Sequence, residues 1–277
     1  MVDNSDAPAP QYDWQRKDYR TFELGEVFGR AFRAIGQRAV PLLVISALLV
    51  VLPQFLASYM PYLVMQDGFD AASLFSLPVI ISSVLVLLAT TIIAPAAMVY
   101  LLLKAFNNED VGAMESLRVG LSRFLVLLAS GILMGLGMLL GALLFLIPAI
   151  ILYCGWFVLT PVVVMERVGV TGSLARSWEL TRGHKWLVLV VLILMFVLSL
   201  VVQAVLTLPF ADPFEIDPET FELIPASATQ ALLAAAAASV AAVVSTVISS
   251  ALVASTYREL RVVKEGVDGA SIADVFS

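Results

Sequence analysis

Five stretches of the chain contain no Asp, Glu, Lys or Arg: 39–66, 71–103, 124–165, 186–211 and 223–257. A helix needs about 20 apolar residues to cross the hydrocarbon core of a bilayer. Four stretches, of 28, 33, 26 and 35 residues, each hold one such helix. The third, of 42 residues, holds two, joined by a tight turn near Leu144 to Pro148. The pattern predicts six spans. Their apolar runs are continuous rather than alternating, which excludes an outer-membrane barrel and leaves helices, whose backbone groups pair within the segment.

Between the spans the period changes. Over 22–37, Phe28, Ala31, Phe32 and Ile35 fall at i, i+3, i+4 and i+7, which predicts an amphipathic helix. Arg30 and Arg33 lie off that stripe, toward lipid headgroups if the helix lies flat on the membrane. The alternative is packing on the protein's own helix ends. A second amphipathic stretch puts Met114, Leu117, Leu121 and Phe124 on one face, and a third runs from Ser173 to Gly183. Gly25, Val27, Phe28 and Gly36 align with Gly172, Leu174, Ala175 and Gly183, and Ser116-Leu117 echoes Ser173-Leu174. The expected architecture is therefore an all-α polytopic bundle of six transmembrane helices with cytoplasmic interfacial helices, built as three repeated units. Residues 1–20 read as a mobile polar tail, 21–265 as the membrane domain and 266–277 as a short C-terminal tail.

Composition agrees: 60% of residues are hydrophobic and 14% charged, against about 25% charged in soluble domains. The polar first 38 residues do not resemble a cleaved signal, so the first span is expected to serve as an uncleaved anchor. The net charge of -6 matters less than its distribution. In the six-span arrangement all 16 Lys and Arg residues fall on one side. Asp67, Asp70, Asp212, Glu215, Asp217, Glu219 and Glu222 fall on the other. The positive-inside rule places both termini in the cytoplasm.

Particular residues refine the spans. Pro95 is expected to kink span two and free a carbonyl that a neighbour must satisfy. Gly131, Gly135, Gly137 and Gly141 form two small-xxx-small pairs in span three, which predicts close contact with span four or six, ahead of homodimerisation. Span six is rich in alanine and hydroxyl side chains and suits the bundle centre. A groove along it would be lined by Gln203, Ser245, Ser249 and Thr256.

Chemistry is sparse. His184 has no neighbouring cysteine, histidine or acid, so neither a zinc site nor a Ser-His-Asp triad can be built on it. Beside Lys185 and Trp186 it reads as an interfacial anchor, and Arg182, His184 and Lys185 join Arg30 and Arg33 as headgroup candidates. No nucleotide fingerprint is present, and no ionisable side chain lies within a span, where coupled pumps place carboxylates. The acidic loop 211–223 is a weak cation candidate and reads more simply as solvated. Glu166, just after Val162 to Met165, is costly at that depth unless paired. Arg176, Arg258 and Arg261 emerge at its level, and one of them is the expected partner.

The run Pro161, Glu166, Ser173, Leu174, Ser177, Trp178, Leu180, Thr181, Gly183, with Tyr257, Arg258, Glu259, Leu260, Arg261, Lys264, Glu265 and Gly266, resembles the membrane domain attached to some bacterial glycerophosphoryl diester phosphodiesterases and its YciC-like relatives. The likeness spans about residues 22–266. It implies a six-helix domain of bacterial inner membranes, without the separate soluble barrel that carries phosphodiesterase chemistry. The expectation is thus a non-enzymatic membrane protein without cofactor or metal. It would organise membrane lipid or another membrane protein at the cytoplasmic leaflet, with no nucleic-acid partner. The alternative is a carrier or scramblase for lipid-like molecules along span six.

Overall fold

A computed structural model describes residues 22–65, 77–210, 214–216, 223–225 and 227–266. The tails expected at 1–20 and, but for Gly266, at 266–277, and most of the acidic loop, lie outside these residues. Twelve helices are described: α1 (Leu24–Gln37), α2 (Ala39–Ser46), α3 (Leu52–Met65), α4 (Leu77–Leu88), α5 (Ala94–Phe106), α6 (Ala113–Ser122), α7 (Phe124–Leu144), α8 (Leu146–Gly155), α9 (Leu159–Glu166), α10 (Val170–Thr181), α11 (Lys185–Thr207) and α12 (Ala228–Glu265). A short antiparallel pair, β1 (Phe214–Ile216) and β2 (Leu223–Pro225), joins α11 to α12.

Six helical runs are long and apolar enough to cross a membrane: Ala39–Met60, Leu77–Phe106, Phe124–Leu144, Leu146–Glu166, Lys185–Phe210 and Ala228–Glu265. The chain is a multi-pass membrane protein. Spans three and four turn at Phe145, whose backbone is extended.

The first two spans each contain a π turn, at Ala47–Val51 and Ala89–Ile93, and each is followed by a proline, Pro53 and Pro95. Proline cannot donate to the carbonyl four residues back, and widening one turn accommodates that missing bond. Thr90 donates back to the Val86 carbonyl at 2.6 Å, and Thr91 to Leu87. Against the second widened turn lies Gly120 of α6, where a Cβ would stand 3.2 Å from both the Ile93 carbonyl oxygen and the Ala97 nitrogen. Only a glycine lets α6 approach the kink this closely.

Span four is broken. α8 stops at Gly155 and α9 starts at Leu159, two residues before Pro161. Pro161 fits the first turn of α9, where its missing N–H has no partner to lose.

Helix α12 runs 38 residues, about 57 Å at 1.5 Å per residue, far more than the bilayer core requires. It opens with a reciprocal capping box between Ser227 and Gln230 and ends at Gly266, whose φ of +66° suits a residue without a Cβ. It packs on α1, α2, α3, α5, α9, α10 and α11, so it is the centre of the bundle. The main core gathers around it and α5: Met98, Leu102, Val162, Val188, Leu252 and Leu260 are all buried.

The apolar stripes of α1 and α6 divide between the bundle and its surroundings, with Phe28, Ile35 and Leu117 packed against the core. On α1 the buried residues are Val27, Ala31 and Ala34, while Phe32 is exposed; on α6 they are Ser116 and Gly120, while Met114 and Leu121 are exposed. Small residues take the inner face because the helices are pressed closely on α12 and α5, and a Phe or Leu there would hold them apart. On span three, Gly137 and Gly141 meet Trp156 and Ala149 of span four, whereas a Cβ on Gly131 or Gly135 would meet nothing within 4 Å.

Candidate functional site

The basic segments meet at one end of the bundle. Arg38, before span one, pairs with Asp110, after span two. Arg30 of α1 pairs at 3.1 Å with Glu259 near the end of α12, and lies 3.6 Å from Glu26. Arg258 donates to the Phe106 carbonyl at 2.6 Å and stacks over that residue's ring.

Arg176 of α10 is the hub. Its Nε donates to Glu166 at 2.8 Å, one terminal nitrogen donates to Glu179 at 3.2 Å and the other to Glu265. Glu265 in turn accepts from Arg261 Nε at 3.0 Å. The second oxygen of Glu166 accepts from the Tyr257 hydroxyl at 2.9 Å. Of the three arginines at its level, Glu166 is therefore bonded to Arg176. Arg261 reaches the cluster through Glu265, and Arg258 turns to α5. Burial pushes the Arg176 guanidinium toward deprotonation, but its bonds to Glu166 and Glu265 outweigh that, so it is held above the usual arginine range. Its charge is permanent, and α9, α10 and α12 are tied together through it.

The break in span four is the other fixed point. The Gly155 carbonyl accepts from Ser177 Oγ at 3.1 Å and Thr181 Oγ1 at 3.0 Å. The Trp178 ring fills the space where a Cβ on Gly155 would stand. Ser173 Oγ lies 3.3 Å from Ser130 Oγ of span three. A helix end within an apolar bundle leaves carbonyls without intrahelical partners, and α10 supplies the hydroxyls. The Ser177-Trp178-Thr181 spacing is thus a docking code: positions i, i+1 and i+4 face the break together. The sequence carried that spacing, but not the carbonyl it serves.

The headgroup candidates divide. Arg30 turns inward: its side chain is 18% exposed and is bonded to the buried Glu259. Arg33 and Arg182 are exposed. Lys185 places Nζ 3.1 Å from the centre of the Trp178 ring, on the protein rather than away from it. His184 stacks on Phe22 with centroids 6.4 Å apart, and its buried Nδ1 has no partner among the described residues. Burial, then the nearby Lys264 ammonium, lower its pKa and keep the ring neutral.

Around Arg30, Arg33 and Arg258, with Gln37 and Asn108, lies a polar pocket of about 280 Å³. Three guanidiniums line it, and the first is paired with Glu259 and lies near Glu26.

A larger cleft of about 540 Å³ opens within the membrane-spanning region, bounded by spans two, three and four, by Met195 of α11 and by α12. Of the four residues expected to line a groove along span six, Ser249 alone borders it. Gln203 is exposed on α11, Ser245 is half-buried, and Thr256 is fully buried and donates to the Leu252 carbonyl at 2.7 Å. They share no groove because the bundle closes around α12 near its basic end, where Ser255 donates to the Val27 carbonyl of α1 at 2.8 Å. Among the described residues, no three His, Cys, Asp or Glu side chains come together in a way that could hold a metal ion.

Residues 96–260, more than half of the chain, match the model of Domain of unknown function (DUF7847). The chain belongs to the DUF7847 family. The DUF7847 match begins in α5 and ends five residues before α12 does, so it contains Glu166, Arg176, Tyr257, Gly155 and the residues of α10 that dock on it. Helix α1 and span one precede the DUF7847 match, and Arg30 reaches from outside it to Glu259 within it. No curated protein and no solved structure matches the chain.

Proposed function

We propose that this DUF7847 protein is a non-enzymatic organiser of anionic lipid at the cytoplasmic face of a bacterial inner membrane, with its basic end and both termini toward the cytoplasm. The observation that carries the reading is the meeting of Arg30, Arg33 and Arg258 around one polar pocket. Guanidinium forks suit phosphate oxygens, and juxtamembrane cations attract anionic leaflets by about 1 kcal/mol per charge. Phe32, Met114, Leu121 and Trp186, 49%, 73%, 63% and 82% exposed, are large apolar side chains on or beside the short helices. They suit the acyl boundary below such headgroups.

We read α1, α6 and α10, each followed by two spans, as three copies of one unit. The resemblance to the phosphodiesterase-associated membrane domain stays a proposed kinship, supported by the concentration of its residues in the Arg176 and Gly155 contacts; the family match brings no activity with it. The carrier alternative draws on the intramembrane cleft. Against a continuous path along α12 stands the burial of Ala251, Leu252, Ala254, Ser255 and Thr256 between that cleft and the basic end.

The test is mass spectrometry of lipid retained by the purified full chain from membranes of known composition. Phosphatidylglycerol should be enriched over phosphatidylethanolamine, and Arg33→Glu should remove most of that enrichment while leaving the fold intact. A retained fraction that mirrors the bulk membrane would overturn the proposal.

A further inference from the structure

The cleft carries a second reading, independent of the arginine pocket. It runs from the exposed Leu87 and Ile132 inward to Val99 and Ser250, which are 1% and 2% exposed. Four serine and threonine side chains of α12 are buried: Ser239, Ser250, Ser255 and Thr256. Ser239 donates to Ala235, Ser255 to Val27 and Thr256 to Leu252. Ser250 Oγ alone has no partner among the described residues. A serine in a helix can satisfy itself by bonding back one turn, and its neighbour Ser249 does so with the Thr246 carbonyl at 3.1 Å. A buried hydroxyl left without a partner is costly in an apolar site.

The rest of the wall says what would complete it. No Asp, Glu, Lys, Arg or His is among the described lining residues, so the occupant is neutral where it meets the wall. Tyr153, Trp156 and Thr160 add groups that can donate hydrogen bonds. The hydroxyls can donate or accept and the indole N–H can only donate, so an occupant with acceptor oxygens can serve all of them.

Depth narrows the choice further. Leu127 to Met134 border the cleft and lie three to ten positions after Phe124, where span three begins. At 1.5 Å per residue that is about 5 to 15 Å below the basic end, and Ser250, eight positions before Arg258 on α12, lies about 12 Å below that arginine. The neutral acceptor oxygens abundant just below a headgroup are the ester carbonyls of membrane lipids. The volume, about 540 Å³, lies within the range of ligand sites that are mostly apolar with a few placed polar groups.

We infer that the cleft seats the upper part of one ester-linked acyl chain of a bilayer lipid, with an ester carbonyl accepting from Ser250 Oγ.

Trp156, which borders the cleft, supplies the readout. The full chain is reconstituted in phosphatidylcholine vesicles containing chain-brominated lipid, and the quenching lost in Trp156→Phe is assigned to Trp156. Unbrominated ester-linked and ether-linked phosphatidylcholines of equal chain length then compete. The ester lipid should relieve quenching about fivefold more effectively than the ether lipid, as expected for one hydrogen bond. Ser250→Ala should abolish that preference. Gly131→Leu, at a position where an added side chain has open space, should fill the mouth and remove the quenching.

Equal competition by ester and ether lipids would overturn the inference, as would a preference that survives in Ser250→Ala. Quenching unchanged in Gly131→Leu would place the bromines outside the cleft and overturn it too. A decyl-substituted benzoquinone that displaces the bromolipid at stoichiometric concentration would assign the cleft to a quinone instead of a lipid chain. Helicity and elution volume of each variant establish that the fold is retained.

Discussion

Glu166→Gln keeps the side chain's size and removes its charge, which makes it the sharpest probe of the basic end. The carboxylate accepts from Arg176 at 2.8 Å and from the Tyr257 hydroxyl at 2.9 Å. A hydrogen bond to a charged group contributes about 1.5–3 kcal/mol and a neutral one about 1 kcal/mol. The amide oxygen retains one acceptor, so part of this survives. Tyr257 is 2% exposed, and water does not replace what its hydroxyl loses. Arg176 keeps Glu265 and Glu179, which limits the damage on its side. The balance is a destabilisation of about 2 kcal/mol. Glu166→Ala, which empties the site, should cost about 1 kcal/mol more. Reversible unfolding in mixed detergent micelles, followed by tryptophan fluorescence, measures both. A cycle with Tyr257→Phe should return a coupling of about 1 kcal/mol. Folded yield should fall in Glu166→Ala and fall further when Arg176→Met is added, because Glu265 and Glu179 then lose this guanidinium as well. Unfolding midpoints that stay at the wild-type value in both Glu166 variants would refute the claim that this carboxylate ties α9 to α10 and α12.

Gly155→Ala drives a methyl group into the Trp178 ring and should destabilise by about 1–3 kcal/mol, with part recovered by Trp178→Leu; thermal unfolding of the single and double variants decides it. Arg30→Met leaves the buried Glu259 carboxylate without its guanidinium and should cost about 3–5 kcal/mol, whereas Arg30→Met with Glu259→Leu should come close to wild type; equal losses in the two proteins would show that the pair is not coupled. Protonation of His184 is disfavoured in the fold, first by burial and then by Lys264. Its folded pKa thus lies below the unfolded value of about 6.5. The stability from the neutral ring is present above that range and lost as pH falls through the folded value. Melting should be lower at pH 5 than at pH 7.5, and His184→Phe should narrow the gap.

The six spans, their turn at Phe145 and the gathering of basic residues at one end of the bundle were legible in the chain itself, because lipid imposes one-dimensional rules: apolar length decides crossing, and charge is kept to the ends. Pro95 marked the disturbed turn of span two, and Pro53 and Pro161 stand beside those of spans one and four. The form of each disturbance, two widened turns and one break, depended on which neighbour came close. The inward faces of α1 and α6 were not legible from pattern for the same reason, since Ala34 and Gly120 gain their value from the helix opposite and not from their own hydrophobicity. Glu166 stood out as a carboxylate that needed a partner. That Arg176 is the one bonded to it, that Arg30 turns to Glu259, and that Ser250 is left unpartnered beside a cleft are decided by distances between residues far apart in the chain, some more than 200 positions. No local period encodes such distances.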